Sequence, residues 1–248
     1  MSVIDFQTQY ELQFVDSGSS FLSKEDFEQL RNGDFSWQKY GDLSEKYYVG
    51  IDFAGAANGT DSTAISILRL DKLTQQRQKI FAVELKGMPF PQQMKIILSL
   101  FTGPRPKFRY KKIVADATGV GLGLIQVMKD QGLDIIPITF NAKDRFTNTN
   151  TNYKTTMYRA ILAAIQNDKF KYPSLDNVPK NDHVFLHKQL MQWSDLVVES
   201  IKSSNNIRVE SSTTNEDFCD SDALSYFATV IDQKQHKMPS GITYRSSR

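Results

Sequence analysis

Apolar and polar positions along the chain alternate in two periods, and the elements follow from them. The N-terminal segment is irregular. A short strand is predicted at Tyr10–Val15, then a short helix opened by Ser23 as N-cap and stopped at Asn32-Gly33. From Tyr47 the pattern becomes regular. Val49–Ile51 is an apolar run ending in Asp52, and Ser62–Arg69 pairs back on it after a small-residue loop. Lys79–Leu85 makes a third strand, so the domain opens as an antiparallel meander. Met94, Ile97, Leu98 and Phe101 recur at helical spacing behind Pro91. Ile113–Asp116 and Leu133–Ile138 are strands around a helix near Leu122–Lys129. Tyr153–Gln166 is an amphipathic helix, Phe170–Tyr172 an edge strand and Lys180–Met191 a helix. A hairpin joins Leu196–Ser200 to Ile207–Glu210, and Asp220–Ile231 is the last helix. A meander followed by strand–helix alternation predicts an α/β fold with a mixed central sheet flanked by helices.

Composition changes this picture little. The chain has 248 residues, enough for one large domain, with 30 Lys+Arg against 28 Asp+Glu and a net charge of +2. Nucleic-acid binding would therefore depend on local clusters of charge. Cys219 has no second cysteine to pair with, and an intracellular chain is expected. No apolar run approaches the roughly 18 residues of a membrane helix, and the N-terminus does not read as a secretory signal.

The chemistry lies in the acids. Asp52 and Asp116 end strands, and Asp220 and Asp222 open the last helix. Each has an ordinary role on its own, as a turn residue or a helix cap. Together they suit divalent cations, because Mg²⁺ takes oxygen ligands and a two-ion site needs carboxylates from separate elements. Lys107, Arg109, Lys111 and Lys112 form a basic run without an acid, readable as a solvated loop or as a phosphate-backbone patch. Lys154 starts a helix after a polar loop holding Lys143 and Arg145, and Arg159 follows on that helix. His183 and His187 have metal-like spacing, but no third ligand is evident.

The blocks VGIDFAGAANGTDSTAISIL, IVADATGVGLGLIQVM and DFCDSDALSYFA resemble the nuclease domain of tailed-bacteriophage large terminase subunits. The resemblance covers nearly the whole chain. It implies an RNase H-like (RuvC-like) fold and a DNA endonuclease that uses two Mg²⁺ or Mn²⁺ ions to cut concatemeric viral DNA during genome packaging, with little sequence preference. It makes Asp52, Asp116 and Asp222 the catalytic metal ligands. Asp61 is auxiliary, and Asp220 is the alternative to Asp222, since residues two apart on a helix cannot share a face. Lys154 would contact the scissile phosphate, with Lys107, Arg109, Lys111, Lys112, Lys143, Arg145 and Arg159 on the duplex backbone. Residues 1–46 would be an arm from an ATPase domain, residues 47–233 the nuclease domain, and residues 234–248 a tail. No GxxxxGK[ST] motif is present, so a motor domain, a small terminase subunit and a portal are expected partners, and the cytoplasm of an infected bacterium the location. Rival readings are a junction resolvase or transposase, an actin-like nucleotide-binding domain, and a non-enzymatic module with structural acids.

Overall fold

A computed structural model describes residues 20–54, 62–147, 150–200, 205–211 and 215–237. In chain order these hold α1 (Lys24–Leu30), β1 (Tyr47–Asp52), β2 (Ser62–Leu70), β3 (Arg77–Lys86), α2 (Phe90–Phe101), β4 (Tyr110–Asp116), α3 (Gly121–Asp130) and β5 (Ile135–Ile138). They continue with α4 (Tyr153–Gln166), β6 (Phe170–Lys171), α5 (His183–Ser194), β7 (Leu196–Ser200), β8 (Ile207–Ser211) and α6 (Asp217–Lys237). The main sheet has the order β5-β4-β1-β2-β3-β6. β1, β2 and β3 are the antiparallel meander, whereas β4 joins β1, β5 joins β4 and β6 joins β3 in parallel. The predicted mixed sheet flanked by helices is the one observed.

Period-two alternation divides the sheet's side chains between two cores. Tyr48, Ala64, Leu68, Ala82 and Val114 point to the face covered by α1, α4, α5 and α6. Tyr47, Val49, Ile51, Ile65, Ile67 and Ile113 point to the face covered by α2 and α3. β7 and β8 form a separate hairpin beside α4.

Part of the expected arm packs onto the domain. Phe21, Leu22, Phe27, Leu30 and Trp37 are buried in the core on the α6 side. Ser23 caps α1 in a reciprocal capping box with Asp26. The last helix is longer than its apolar stripe predicts, reaching from Asp217 to Lys237. The expected strand Tyr10–Val15 and residues 238–248 lie outside the described residues. No described helix is long and apolar enough to cross a membrane.

Candidate active site

β1 and β4 run in the same direction with Ile51 opposite Ala115. Asp52 and Asp116 therefore stand side by side at the strand ends, on neighbouring strands about 4.8 Å apart. Both share the parity of Tyr48 and Val114, so both face α6. α6 crosses directly over β1, and the crossing depends on Gly50. A Cβ there would lie 2.0 Å from the Ser221 carbonyl oxygen and 2.4 Å from the Ser225 nitrogen. Gly121 plays the same part for α3, since a Cβ there would sit 2.2 Å from the Asp116 carbonyl oxygen. The first turn of α6 is tied to the sheet where Ser62 N donates to Asp217 Oδ2 at 3.1 Å.

The side chains at this corner are individually oriented. Thr118 donates to Asp116 Oδ1 through its backbone N (3.0 Å) and its hydroxyl (2.7 Å). Tyr158 Oη on α4 donates to Asp220 Oδ1 at 2.7 Å. Asn152 caps α4 by accepting from Thr155 N at 2.9 Å, which puts Lys154 in the helix's first turn. Lys154 Nζ lies 3.3 Å from both Asp220 Oδ2 and Glu216 Oε1. Beside it opens a cleft of about 390 Å³ lined by Asp116, Thr118, Asn141, Lys154, Arg208 and Glu216, among others.

The electrostatics are those of crowded acids. Burial first, then the charges of Asp220, Asp116 and Asp217, push the Asp52 carboxyl well above the usual carboxylate range, with Lys154 opposing. Burial raises Asp116 and Asp220 as well, against the pull of Thr118 on the first and of Lys154 and Tyr158 on the second. Lys154 is raised: burial works against its charge, but Asp220 and Glu216 outweigh it. Oxygen-only donors in excess over cations suit a hard divalent ion such as Mg²⁺ or Mn²⁺. Among the described residues, no three His, Cys, Asp or Glu side chains are yet grouped tightly enough to hold one ion. Lys154 contacts two of the acids instead.

Asp222 is not at this corner, which corrects the expected third ligand. It is fully buried and ion-paired with Lys79 of β3 at 2.6 Å. It also accepts from Ser66 Oγ (2.5 Å), Trp193 Nε1 (3.1 Å) and the Tyr172 hydroxyl. Two residues along a helix turn the side chain by about 200°. Asp220 thus faces α4 and the strand ends, and Asp222 faces β2 and β3. Asp61 lies outside the described residues.

No protein-family model matches the chain, and no curated protein does. Solved structures do. The large terminase nuclease of thermophilic phage G20c with bound magnesium matches with TM-score 0.61 at 16% identity, over 86% of this chain and 98% of that one. The fold is that of a large-terminase nuclease. The nuclease domain of Thermus phage P74-26 matches with TM-score 0.58 at 14% identity, over 84% and 94%. The large terminase of another thermophilic bacteriophage matches with TM-score 0.54 at 15% identity, over 83% of this chain and 45% of that one.

Within this terminase-nuclease fold the predicted basic residues separate into two groups. Lys111 and Lys112 sit at the start of β4 and Asp116 at its end. The five residues from Lys111 to Asp116 span about 16 Å at about 3.3 Å per residue. Lys111 pairs with Asp232 at 2.8 Å, Lys112 donates to Gln235 at 2.9 Å, and Arg109 donates to the Leu43 carbonyl at 2.8 Å. Lys107 lies 5.5 Å from the Tyr40 ring centroid. Lys107, Arg109, Lys111 and Lys112 are therefore at the far end of the sheet from the acids. Lys143 and Arg145 are exposed on the loop leading to Lys154, near the cleft. Arg159 is exposed on α4, about 140° around the helix from Lys154. His183 Nε2 contacts the Val178 carbonyl at 2.9 Å. Sequence reasoning missed Tyr158, Glu216 and Lys79. For Glu216 a signal existed, since it precedes Asp220 by one helical turn.

Proposed function

We propose that the chain is a divalent-metal-dependent DNA endonuclease that cuts concatemeric phage DNA during packaging. The observation that carries this is the pairing of Asp52 and Asp116 at adjacent strand ends, beneath the helix turn bearing Asp220. Asp52, Asp116 and Asp220 would hold two ions, Mg²⁺ or Mn²⁺, with Asp52 as the shared ligand and Asp61 auxiliary. When bound, such ions generate the attacking hydroxide and stabilise the departing 3′ oxygen. The protein's own side chains do the positioning. Thr118 fixes the Asp116 carboxylate, and Tyr158 fixes that of Asp220. Lys154 meets the scissile phosphate in the cleft, with Lys143 and Arg145 on the flanking backbone. Such contacts carry no base code, so cutting has little sequence preference. In the phage the domain would work beside an ATPase motor, a small terminase subunit and a portal, in the cytoplasm of the infected host.

The test is incubation of supercoiled plasmid with the purified protein and Mn²⁺ or Mg²⁺. Relaxed and linear products should appear, and both EDTA and Asp52→Ala should abolish them. Cleavage that survives both treatments refutes the proposal.

A further inference from the structure

Resting on the metal-dependent reading above, we propose that the Lys154 ammonium is the resident cation of the Asp220–Glu216 half of the site, and that a second divalent ion enters only by displacing it. The two halves of the site differ in a way that only the side-chain geometry reveals. Among the described residues, neither Asp52 nor Asp116 makes a salt bridge. A first ion arriving there meets carboxylates with no cation in contact. On the other side the place is taken.

It is also built to be taken. Each carboxylate has one oxygen held by the protein and the other turned to Lys154. Asp220 Oδ1 accepts from Tyr158 while Oδ2 faces Nζ. Glu216 Oε2 accepts from Ser211 N at 3.4 Å while Oε1 faces Nζ. The rings of Phe140 and Tyr158 flank the ammonium, with centroids 5.4 Å and 5.7 Å away, an arrangement that favours a desolvated cation. The Lys154 backbone is pinned too, its N donating to the Phe140 carbonyl at 3.0 Å. The side chain is only 20% exposed, and Asp220 only 7%. An ammonium and a divalent ion cannot share these two oxygens, because like charges about 4 Å apart repel strongly in a partly buried site.

Substrate resolves the competition. A DNA phosphate in the cleft offers Lys154 another anion, and when Lys154 moves to it, Asp220 and Glu216 are left to the incoming ion. Binding of the second ion and of DNA would then assist each other, and by linkage the assistance is reciprocal. The acids stay neutralised without DNA, and the full complement of ions assembles only on substrate.

The experiment is calorimetric titration of the DNA-free protein with Mn²⁺, for the native chain, Lys154→Met and Lys154→Arg. The native chain and Lys154→Arg should bind one ion well and a second much more weakly. Lys154→Met keeps the length and removes the charge, so its second ion should bind about tenfold tighter or more. Glu216→Gln gives an independent reading that leaves Lys154 in place: it should weaken the second ion and spare the first. Equal second-ion affinity in Lys154→Met and Lys154→Arg overturns the proposal, as does loss of the first ion in Glu216→Gln. If the native chain binds no Mn²⁺ at all, the metal-dependent reading itself falls.

Discussion

Replacing Asp222 by asparagine separates a structural acid from a catalytic one. Asp222 and Lys79 are both fully buried, 2.6 Å apart. The ammonium also lies 4.7 Å and 5.4 Å from the ring centroids of Tyr172 and Phe218. Burial already pushes the Lys79 pKa down, with Asp222 holding it up. Asp222→Asn leaves that ammonium without its counter-ion. Removing one partner of a buried pair costs about 3–5 kcal/mol. At about 2–4 °C per kcal/mol for a domain of this size, Tm should fall by about 10 °C. Lys79→Met should cost a similar amount by stranding the carboxylate. The double variant strands neither charge, and its asparagine still offers an oxygen to Trp193 and Tyr172. Its cost should therefore be smaller than the sum by about 2 kcal/mol or more, a coupling that a double-mutant cycle measures. Urea unfolding followed by tryptophan fluorescence is a suitable assay, since Trp193 is part of the network. Mn²⁺ affinity of the folded Asp222→Asn variant should match the native value. A variant of native stability that no longer binds Mn²⁺ would make Asp222 a ligand and refute the reasoning.

Asp52→Asn and Asp220→Asn should each lower plasmid cleavage by about a hundredfold or more; Asp52→Asn should also abolish the Mn²⁺-induced rise in Tm of the DNA-free protein, whereas Asp220→Asn should leave most of it. Asp52→Asn should leave the metal-free protein at least as stable as the native one, because it removes a like charge; a lower metal-free Tm contradicts this. Gly50→Ala forces a methyl into the Ser221 and Ser225 backbone and should cost about 3 kcal/mol; unchanged urea unfolding would show that α6 does not press on β1. Asp52, Asp116 and Asp220 titrate above the ordinary 3.8 in the folded chain. Between 3.8 and those raised values the folded state binds more protons than the unfolded one, so metal-free stability falls as pH rises through that window. Divalent ions compete with the same protons, so the Mn²⁺-induced gain in Tm should be larger at about pH 8 than at about pH 5, and equal gains would contradict the assignment. Burial raises the Cys219 thiol well above its ordinary range, so it should react with a thiol reagent only on unfolding.

The sheet was legible because its strands are bounded by turn residues and their alternation has one period. The parity of Tyr48, Gly50 and Asp52 already places the acid on a defined face. The residues of the expected arm were harder to read. Phe21, Leu22 and Phe27 are too few and too irregular to show a period, yet all three belong to the core on the α6 side, with Phe21 against the rings of Tyr158 on α4 and Trp193 on α5. The basic run is hard to place for a different reason. Clustered charge shows that a surface is positive, not which end of a strand it occupies. With the strand starting at Tyr110 rather than at Ile113, the separation of Lys111 from Asp116 follows from chain geometry alone.

Choosing between Asp220 and Asp222 needs the phase of α6, which its sequence withholds. Ser221, Asp222, Ser225 and Thr229 are all buried beside Leu224, Phe227 and Ala228. With polar residues buried as well, its apolar stripe does not by itself single out the packed side. Contacts with the sheet set the phase instead. Gly50 sets how closely α6 approaches β1. The Lys79–Asp222 pair, with Ser66, Tyr172 and Trp193 around it, sets its rotation. Once Asp222 is turned to β3, Asp220 can only face α4 and the ends of β1 and β4. The buried pair therefore acts on the candidate site at one remove. A rotation of α6 by a single residue, about 100°, would carry Asp220 away from Asp52, and the charge left stranded at Lys79 opposes that rotation.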